Sequence, residues 1–229
     1  MTESTIPVIA IDGPSASGKG TVAARVAAKL GWHYLDSGAI YRLTALAAIR
    51  RGLLLDDEAS VAAVAAELDA AFVEGVILLD GDDVTDAIRS ESVGDGASRV
   101  AAMPEVRAAL LQRQRDFARS PGLVADGRDM GSVVFPGAPL MVFLTASAQE
   151  RAERRYKQLI AKGESVNIRQ ILQDIEQRDA RDRARSVAPL QQLAGAHLLD
   201  TTQLNIEQAV QQILHWWDEV KHSPLSVQA

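Results

Sequence analysis

The sequence has no cysteine among its 229 residues. Disulfide bonds and thiolate metal sites are therefore excluded, and the absence fits a reducing compartment, so we expect a cytoplasmic protein. The sequence also lacks any run of about 18 apolar residues, so we expect no membrane span. Residues 1–13 show neither the basic segment nor the apolar core of a secretory signal, so we expect no cleaved leader.

Net positive charge is also absent, and lysine is scarce. The formal net charge of −6 argues against a nucleic-acid-binding protein, because such proteins carry a basic footprint. Only five of the 24 basic residues are lysines, and the rest are arginines. The planar guanidinium group binds phosphate through two hydrogen bonds at once, which an ammonium group cannot do. An acidic protein this rich in arginine is a candidate for binding small phosphorylated anions.

Five short apolar segments alternate with helical patterns along the chain. They predict an α/β fold, with a five-stranded parallel sheet and helices on both of its faces. The predicted strands cover residues 6–11, 33–35, 123–125, 140–144 and 197–199. Periodicity and capping residues predict helices over residues 19–30, 37–50, 59–70, 104–119 and 147–163, and helices beginning near 167 and 206.

One part of the chain does not follow this alternation. Residues 76–79 and 82–85 flank the dipeptide Asp80-Gly81, which is typical of a hairpin turn. A structureless loop as long as the one between the second and third predicted strands is unusual in a compact domain. We therefore expect a small inserted antiparallel hairpin or sheet in this stretch.

A glycine-rich segment joins the first predicted strand to the first predicted helix. It reads GPSASGKGT over residues 13–21, and it stands in the strand–loop–helix context that a phosphate-binding loop requires. Backbone N–H groups and the helix N-terminus would hold the phosphates, and Lys19 would reach the β- and γ-phosphate oxygens. The expected ATP-binding residues are Gly13, Pro14, Ser15, Ala16, Ser17, Gly18, Lys19, Gly20, Thr21 and Arg155.

The metal ligand of this loop is the point at which it departs from the common pattern. Gly20 stands where most such loops have the Ser or Thr that binds Mg²⁺. Thr21 is an alternative, acting directly or through water. Asp126, which ends a predicted strand, either holds the metal's water shell or caps a loop. Mg²⁺ is the expected cofactor, with ATP as phosphoryl donor.

Two segments follow predicted strands and could bind the phosphoryl acceptor. Residues 127–131 place Arg128 and Asp129 between glycines at a strand end, where open α/β sheets bind ligands. In residues 36–42, Ser37 either caps a helix or binds the acceptor, and Arg42 lies about one turn further on.

Two arginine-rich helical segments are further candidates. Arg178, Asp182 and Arg185 have the spacing of one helix face, which indicates either an anion site or surface ion pairs. Arg151, Arg154 and Arg155 share a face of the helix that begins near residue 147. This second face is either a lid that closes over ATP or a solvated surface.

With these motifs, the sequence resembles the bacterial cytidylate kinase family over nearly its whole length. The similar segments are IAIDGPSASGKGT (9–21), LDSGAIYR (35–42), ADGRDMGSVVFP (125–136), RDARDRAR (178–185) and SVAPL (186–190). The resemblance implies a P-loop kinase fold and transfer of a phosphoryl group from ATP to CMP or dCMP, in the cytoplasm and with Mg²⁺.

The same resemblance implies roles for individual residues. Cytosine would be contacted by Ser37, Arg107 and Asp129; the acceptor phosphate by Arg42 and Arg128; the ribose by Arg178 and Asp182; and the base and transferring phosphate by Arg185. The expected catalytic residues are Lys19, Arg128, Arg154 and Arg185. Many relatives have glycine at position 16, and if that position needs a positive φ, Ala16 costs roughly 1 kcal/mol.

The resemblance also suggests how a single domain over residues 1–229 is divided. We expect a core of residues 1–36, 121–150 and 190–229, an acceptor-binding subdomain with the insert over 37–120, and a lid with the arginine-rich helices over 151–189. The expected partners are the small molecules ATP and CMP or dCMP, with no nucleic acid and no membrane, and the expected state is a monomer.

Other functions remain open at this point. A kinase acting on UMP or a phosphorylated sugar would keep the loop but not the 178–185 face. A non-catalytic nucleotide sensor would bind ATP without turnover. The sequence has neither the Asn-Lys-x-Asp guanine motif of GTPases nor the Leu-Ser-Gly-Gly signature of transport ATPases.

Overall fold

The computed structural model describes residues 6–73 and 75–222. Backbone proximity divides them into two compact units. The first unit contains the described residues up to Leu35, Phe117–Ala184, and those from Ala188 onward. The second unit contains Asp36–Asp116 and Arg185–Val187.

The first unit is built on a five-stranded sheet whose strand order is β2-β6-β1-β7-β8. The pairs β1–β6, β1–β7 and β7–β8 are all parallel. β1 and β6 are buried along their whole length, as expected when both faces of a parallel sheet are covered. The strands are β1 (Val8–Asp12), β2 (His33–Asp36), β6 (Leu123–Gly127), β7 (Leu140–Thr145) and β8 (His197–Asp200).

Four long helices and one wide π-helical turn complete the first unit. They are α1 (Lys19–Leu30), α6 (Ala148–Ala161), α7 (Ile168–Ala184), α8 (Ile206–His222) and the turn Met130–Val134. α1 and α8 share one apolar core with the strands, in which Trp32 and Trp217 meet edge to face with ring centroids 4.9 Å apart. α6 and α7 pack on each other through a second, smaller apolar cluster.

The second unit combines four helices, a short 3₁₀ turn and a small antiparallel sheet. Within it, α2 packs on α4 and α3 packs on α5. The sheet order is β3-β4-β5. The elements are α2 (Ser37–Arg50), α3 (Glu58–Ala66), β3 (Ala70–Val73), β4 (Val76–Leu79), β5 (Asp82–Asp83), the 3₁₀ turn Ala87–Arg89, α4 (Glu91–Val100) and α5 (Pro104–Arg115).

The structure confirms the predicted fold class and the inserted antiparallel sheet, with the turn at Asp80-Gly81. Some predicted boundaries were wrong. The helix predicted over residues 59–70 ends at Ala66, because Ala70 pairs with Leu79 and begins a strand that the sequence analysis missed. The helix predicted over 104–119 ends at Arg115.

Helix α4 was also missed, because glycine is a poor helix former. A Cβ added at Gly94 would lie 2.9 Å from an Arg42 guanidinium nitrogen, and one at Gly96 would lie 2.8 Å from a Leu55 methyl group. A side chain at either position would therefore require Arg42 or Leu55 to move. Within residues 6–73 and 75–222, no helix has both the length and the hydropathy needed to cross a bilayer.

Candidate active site

The phosphate-binding loop runs from the end of β1 to the start of α1, and its backbone explains its glycines. A Cβ at Gly13 would lie 1.9 Å from the carbonyl oxygen of Leu144 on β7, so only glycine fits there. Gly18 has φ = 87° and Ala16 has φ = 56°, both in the left-handed region. Position 16 therefore does need a positive φ, and its alanine is strained by roughly 1 kcal/mol relative to glycine.

Polar groups of this loop are buried within it. Lys19 is only 8% exposed, and its Nζ donates a hydrogen bond to the carbonyl oxygen of Pro14 at 3.2 Å. The hydroxyl oxygens of Ser15 and Ser17 are buried and have no hydrogen-bond partner in the described part of the chain. Because buried hydroxyls are usually hydrogen-bonded in folded proteins, these two are available to a bound polyphosphate.

A cavity of about 870 Å³ opens beside this loop, entirely within the first unit. The size is suitable for a small-molecule ligand, for which pockets of about 300–1,000 Å³ are typical. It includes Thr21, which is exposed, and both Arg154 and Arg155. Its lining is Ala16, Ser17, Gly18, Lys19, Gly20, Thr21, Val22, Arg25, Glu150, Arg154, Arg155, Lys157, Gln158, Thr201, Leu204, Asn205, Ile206, Glu207 and Ala209.

Part of this lining was missed in the sequence, namely the segment from Thr201 to Ala209. Thr201 is buried, and its hydroxyl donates to the carbonyl oxygen of Thr145 at 3.0 Å. It also accepts a hydrogen bond from Arg154 Nη1 at 3.2 Å. No local motif marks this segment, because it lines the site only through the order of strands β1, β7 and β8.

The three arginines on α6 lie in different environments, because Arg151 is buried while Arg154 and Arg155 line the cavity. Arg151 is 4% exposed and donates to the carbonyl oxygens of Ala146 and Ser15, both at 3.0 Å. Its Nη2 donates to Asp179 Oδ2 at 2.6 Å. The solvated-surface alternative is therefore wrong for Arg151, which ties the phosphate-binding loop to α7.

Arg154 is held by the protein as well. Its Nε donates to Glu150 at 2.9 Å, and its Nη2 donates to the carbonyl oxygen of Thr201 at 2.6 Å. Nη1 also lies within 3.4 Å of the Ser17 carbonyl oxygen. Arg154 and Arg155 both line the cavity, with Arg154 fixed between the loop and Thr201.

A buried carboxylate that the sequence analysis did not single out lies at the end of β1. Asp12 accepts hydrogen bonds from the backbone N–H groups of Met130 at 2.8 Å and Gly131 at 2.9 Å, one on each oxygen. Burial raises the pKa of Asp12 to about 6, against the opposing effect of those two hydrogen bonds. Asp12 therefore anchors the segment that carries Arg128 and Asp129.

Two of the acceptor candidates in the first unit form a buried ion pair. Arg128 Nε donates to Asp182 Oδ2 at 2.8 Å, and the Asp182 side chain is 1% exposed. Burial alone would lower the pKa of Arg128, but the Asp182 charge raises it. Because the Asp182 side chain is buried, the alternative of surface ion pairs is wrong for this residue. Asp129 is buried as well, at 2% exposed.

The predicted single face of Arg178, Asp182 and Arg185 is also incorrect in part. α7 ends at Ala184, so Arg185 lies outside the helix and belongs to the second unit. Arg178 and Asp182, four residues apart on α7, remain on one face of it.

A tyrosine and an aspartate lie beside the glycine that replaces the usual loop hydroxyl. The Tyr34 hydroxyl donates to Asp126 Oδ1 at 2.7 Å, and Asp126 is 4% exposed. A Cβ at Gly20 would lie 3.4 Å from the Tyr34 hydroxyl oxygen and 3.8 Å from Asp126 Oδ2. Asp126 is therefore next to the loop, and its metal role stays a prediction.

The second unit holds the remaining acceptor candidates. Ser37 is buried but does not cap α2, because Asp36 accepts the hydrogen bond from the Ala39 N–H at 2.9 Å. Arg42 Nη1 donates to the carbonyl oxygens of Ile88 at 2.6 Å and Ser90 at 3.3 Å.

Arg107 is the most buried arginine among these candidates. It is 7% exposed, its Nη1 donates to the carbonyl oxygen of Ala101 at 3.2 Å, and its guanidinium carbon lies 5.8 Å from the centre of the Tyr41 ring. Arg185 is partly buried. Arg42, Arg107 and Arg185 are thus buried or partly buried within the second unit.

The parallel sheet, the loop between β1 and α1, and the adjoining cavity define a P-loop kinase. Comparison with known proteins narrows this class, because the family model described as cytidylate kinase matches residues 9–219. The chain therefore belongs to the cytidylate kinase family.

Individual relatives agree with the family assignment. The chain is 64% identical to a cytidylate kinase of Chromobacterium violaceum over 219 residues, which is 96% of this chain and 99% of that protein. It is 60% identical to a cytidylate kinase of Bordetella pertussis over 211 residues, 92% and 95% of the two chains. Among solved structures, an uncharacterised protein from Eubacterium ventriosum has a TM-score of 0.52 at 15% identity, covering 93% and 98% of the two chains, which is a likeness of fold alone.

Proposed function

We propose that this protein transfers the γ-phosphate of ATP to CMP or dCMP, giving ADP and CDP or dCDP. The observation that carries the proposal is its identity to cytidylate kinases over more than nine-tenths of the chain. The cavity beside the phosphate-binding loop supports the donor half of the reaction.

The loop would bind the triphosphate of ATP and the adjoining cavity its nucleoside. Backbone N–H groups at the start of α1 and the helix dipole attract phosphate oxygens. Lys19 would leave the Pro14 carbonyl oxygen, which it contacts at 3.2 Å, and turn to the phosphates. The hydroxyls of Ser15 and Ser17 would donate hydrogen bonds there, and Arg154 and Arg155 would act from the cavity wall.

The residues around Gly20 fit a magnesium ion, which prefers oxygen ligands and keeps several waters. The hydroxyl of Thr21 and, through water, the carboxylate of Asp126 are the protein groups that would hold it. Bound with ATP, Mg²⁺ neutralises charge that builds up on the phosphate oxygens during transfer. Its presence is a proposal that rests on this oxygen-rich surface and on the class of enzyme.

Acceptor binding is proposed residue by residue from the family resemblance. Arg42 and Arg128 would bind the phosphate of CMP, and Arg107 the base together with Ser37 and Asp129. Arg178 and Asp182 would bind the ribose. The buried ion pair between Arg128 and Asp182 supports the proposed role of Arg128, because it fixes the direction of the Arg128 guanidinium group before any substrate arrives. Arg185 would lie near the base and the transferring phosphate.

Catalysis would come from positioning and charge, because the transferred phosphoryl group needs little covalent help from the protein. Lys19, Arg128, Arg154 and Arg185 would stabilise the negative charge of the transition state. The division into core, acceptor subdomain and lid, the monomeric state and the cytoplasmic location stay predictions.

An acceptor panel tests the proposal. With Mg²⁺-ATP, we expect kcat/KM for CMP and dCMP to exceed that for UMP, AMP and GMP by tenfold or more. Uracil inverts the hydrogen-bond pattern of cytosine at its 4-position, and a buried group left unpaired costs about 1–3 kcal/mol. Equal rates with UMP would favour a different acceptor, and ATP binding without ADP release would indicate a nucleotide sensor.

A further inference from the structure

Two arginines of α6 donate hydrogen bonds to backbone carbonyl oxygens of the phosphate-binding loop. Arg151 Nη1 donates to the Ser15 carbonyl oxygen at 3.0 Å, and Arg154 Nη1 lies 3.4 Å from the Ser17 carbonyl oxygen. Arg154 lines the cavity beside the loop, whereas Arg151 does not line it and is only 4% exposed. Arg151 therefore contacts the loop from outside the cavity.

The guanidinium group of Arg151 is itself fixed from other parts of the first unit. Its Nε donates to the Ala146 carbonyl oxygen at 3.0 Å, and its Nη2 donates to Asp179 Oδ2 at 2.6 Å. Asp179 lies on α7 and is buried. Because the guanidinium group is planar and rigid, these contacts fix the direction in which Nη1 meets the Ser15 carbonyl oxygen.

This hydrogen bond determines how one peptide group of the loop is oriented. The peptide bond between Ser15 and Ala16 is trans, so its C=O and N–H groups point in opposite directions. The N–H of Ala16 therefore points away from Arg151. Turning this peptide group over would change the φ of Ala16, so the hydrogen bond also favours the observed positive φ of 56°.

The positive φ at position 16 is both useful and costly. Successive N–H groups that alternate with left-handed residues form concave sites for anions, and both Ala16 and Gly18 have a left-handed backbone. Alanine pays roughly 1 kcal/mol for this conformation relative to glycine. Without Arg151, a turned-over peptide group would relieve the strain at Ala16 and would present a carbonyl oxygen to the phosphates in place of an N–H.

We propose that Arg151 is a positioning residue that holds the phosphate-binding loop in its anion-binding conformation, with Asp179 fixing the guanidinium group. The inference rests on the proposed binding of ATP at this loop. It gives Arg151 a role without contact to ATP, in contrast to Arg154 and Arg155 at the cavity wall.

Binding of AMP-PNP, a non-hydrolysable ATP analogue, measured by calorimetry with Mg²⁺ tests this without turnover. Removing Arg151 alone would leave the Asp179 carboxylate buried without a counter-charge, which is strongly destabilising. The variant is therefore the double change Arg151→Met and Asp179→Leu, which replaces the ion pair by apolar side chains of similar size. We expect its affinity for AMP-PNP to fall about tenfold or more, the usual worth of a hydrogen bond from a charged group.

The matched control separates this effect from a general loosening of α6. Leu159→Ala removes apolar contacts from the cluster between α6 and α7 and leaves the hydrogen bonds of Arg151 in place. We expect it to lower the melting temperature at least as much as the double variant does, and to keep the affinity for AMP-PNP within about twofold. An equal loss of affinity in Leu159→Ala would overturn the proposal.

Ala16→Gly gives the stricter readout, because glycine adopts a positive φ without strain. We expect it to raise the affinity about fivefold more in the double variant than in the wild-type background, which corresponds to the roughly 1 kcal/mol of strain. Equal effects in both backgrounds would overturn the role of Arg151. A wild-type protein that binds AMP-PNP but does not phosphorylate CMP would overturn the proposed function alone, and one that does not bind AMP-PNP would overturn both.

Discussion

At the scale of single residues, the phosphate-binding loop depends on a few positions where space or backbone conformation is restricted. Gly13 is fixed by contact with the Leu144 carbonyl oxygen, and Ala16 accepts a positive φ that glycine would adopt more readily. Lys19 is buried against Pro14 rather than solvent-facing. Its ammonium group is therefore already partly desolvated, which strengthens its attraction to phosphate.

Replacing Lys19 by alanine tests the loop directly. We expect kcat to fall at least 10²-fold, because the variant lacks a cation aimed at charge that develops in the transition state. The melting temperature should change little, since one hydrogen bond to Pro14 is lost together with a buried charge. Lys29→Ala is the control, because Lys29 forms an exposed ion pair with Glu207 and does not line the cavity. Near-native turnover in Lys19→Ala would mean that this loop is not the catalytic ATP site.

At the scale of elements, helix ends and helix contacts decide which side chains reach the site. Asp36 rather than Ser37 is the N-cap of α2, and its carboxylate accepts a hydrogen bond from the Ala39 N–H. α7 carries two carboxylates inward, Asp179 to Arg151 on α6 and Asp182 to Arg128 after β6. A single helix thus orients one arginine of α6 and one of the proposed acceptor site.

Asp182→Asn tests this role of α7. The amide keeps the shape but removes the charge that orients Arg128, and it alters the proposed contact with the ribose. We expect kcat/KM for CMP to fall about 10- to 100-fold, a smaller effect on the KM for ATP, and a changed ratio of CMP to dCMP use, since hydrogen bonds to charged groups contribute about 1.5–3 kcal/mol.

The matched control is Asp174→Asn, on the exposed side of α7, where Asp174 accepts a hydrogen bond from Gln170. It should keep normal kinetics. Steady-state rates measured well below the melting temperature separate an effect on catalysis from an effect on stability. If both variants kept normal rates and lost only stability, Asp182 would be structural and not part of the acceptor site.

At the scale of the whole molecule, the first unit buries a carboxylate at the centre of its sheet. Asp12 on β1 is 7% exposed and holds the turn that begins at Met130. Its pKa is raised from 3.8 to about 6, chiefly by burial. The folded protein therefore binds a proton more tightly at Asp12 than the unfolded chain does, so this group favours folding at low pH and opposes it as pH rises.

The pH dependence of unfolding tests this account. Between about pH 4 and pH 6, Asp12 should remove roughly 3 kcal/mol of stability, at 1.36 kcal/mol per pKa unit. Other carboxylates contribute in the opposite direction, because the pKa of Asp200, for example, is lowered by Thr202. The comparison is therefore the free energy of unfolding of wild type minus Asp12→Asn at each pH, from denaturant titrations. This difference should decline as pH rises from 4 to 7, and a constant difference would contradict the raised pKa.

What the sequence determined by itself was carried by short contiguous patterns. The phosphate-binding loop, the hairpin turn at Asp80-Gly81 and the alternation of strands and helices all depend on neighbours within a few residues. The family resemblance could also be recognised from the sequence alone, because its segments are continuous runs such as ADGRDMGSVVFP at 125–136.

Tertiary structure alone decided which distant residues meet. Arg128 pairs with Asp182, Arg151 joins Ser15 to Asp179, and Asp12 holds Met130, across separations of 28 to 136 residues that no local pattern records. Two glycines of α4 likewise lie against side chains distant in sequence, Gly94 against Arg42 and Gly96 against Leu55. Strand order in the sheet places Tyr34 and Asp126 beside Gly20, because β6 lies between the strands that carry the loop and the tyrosine.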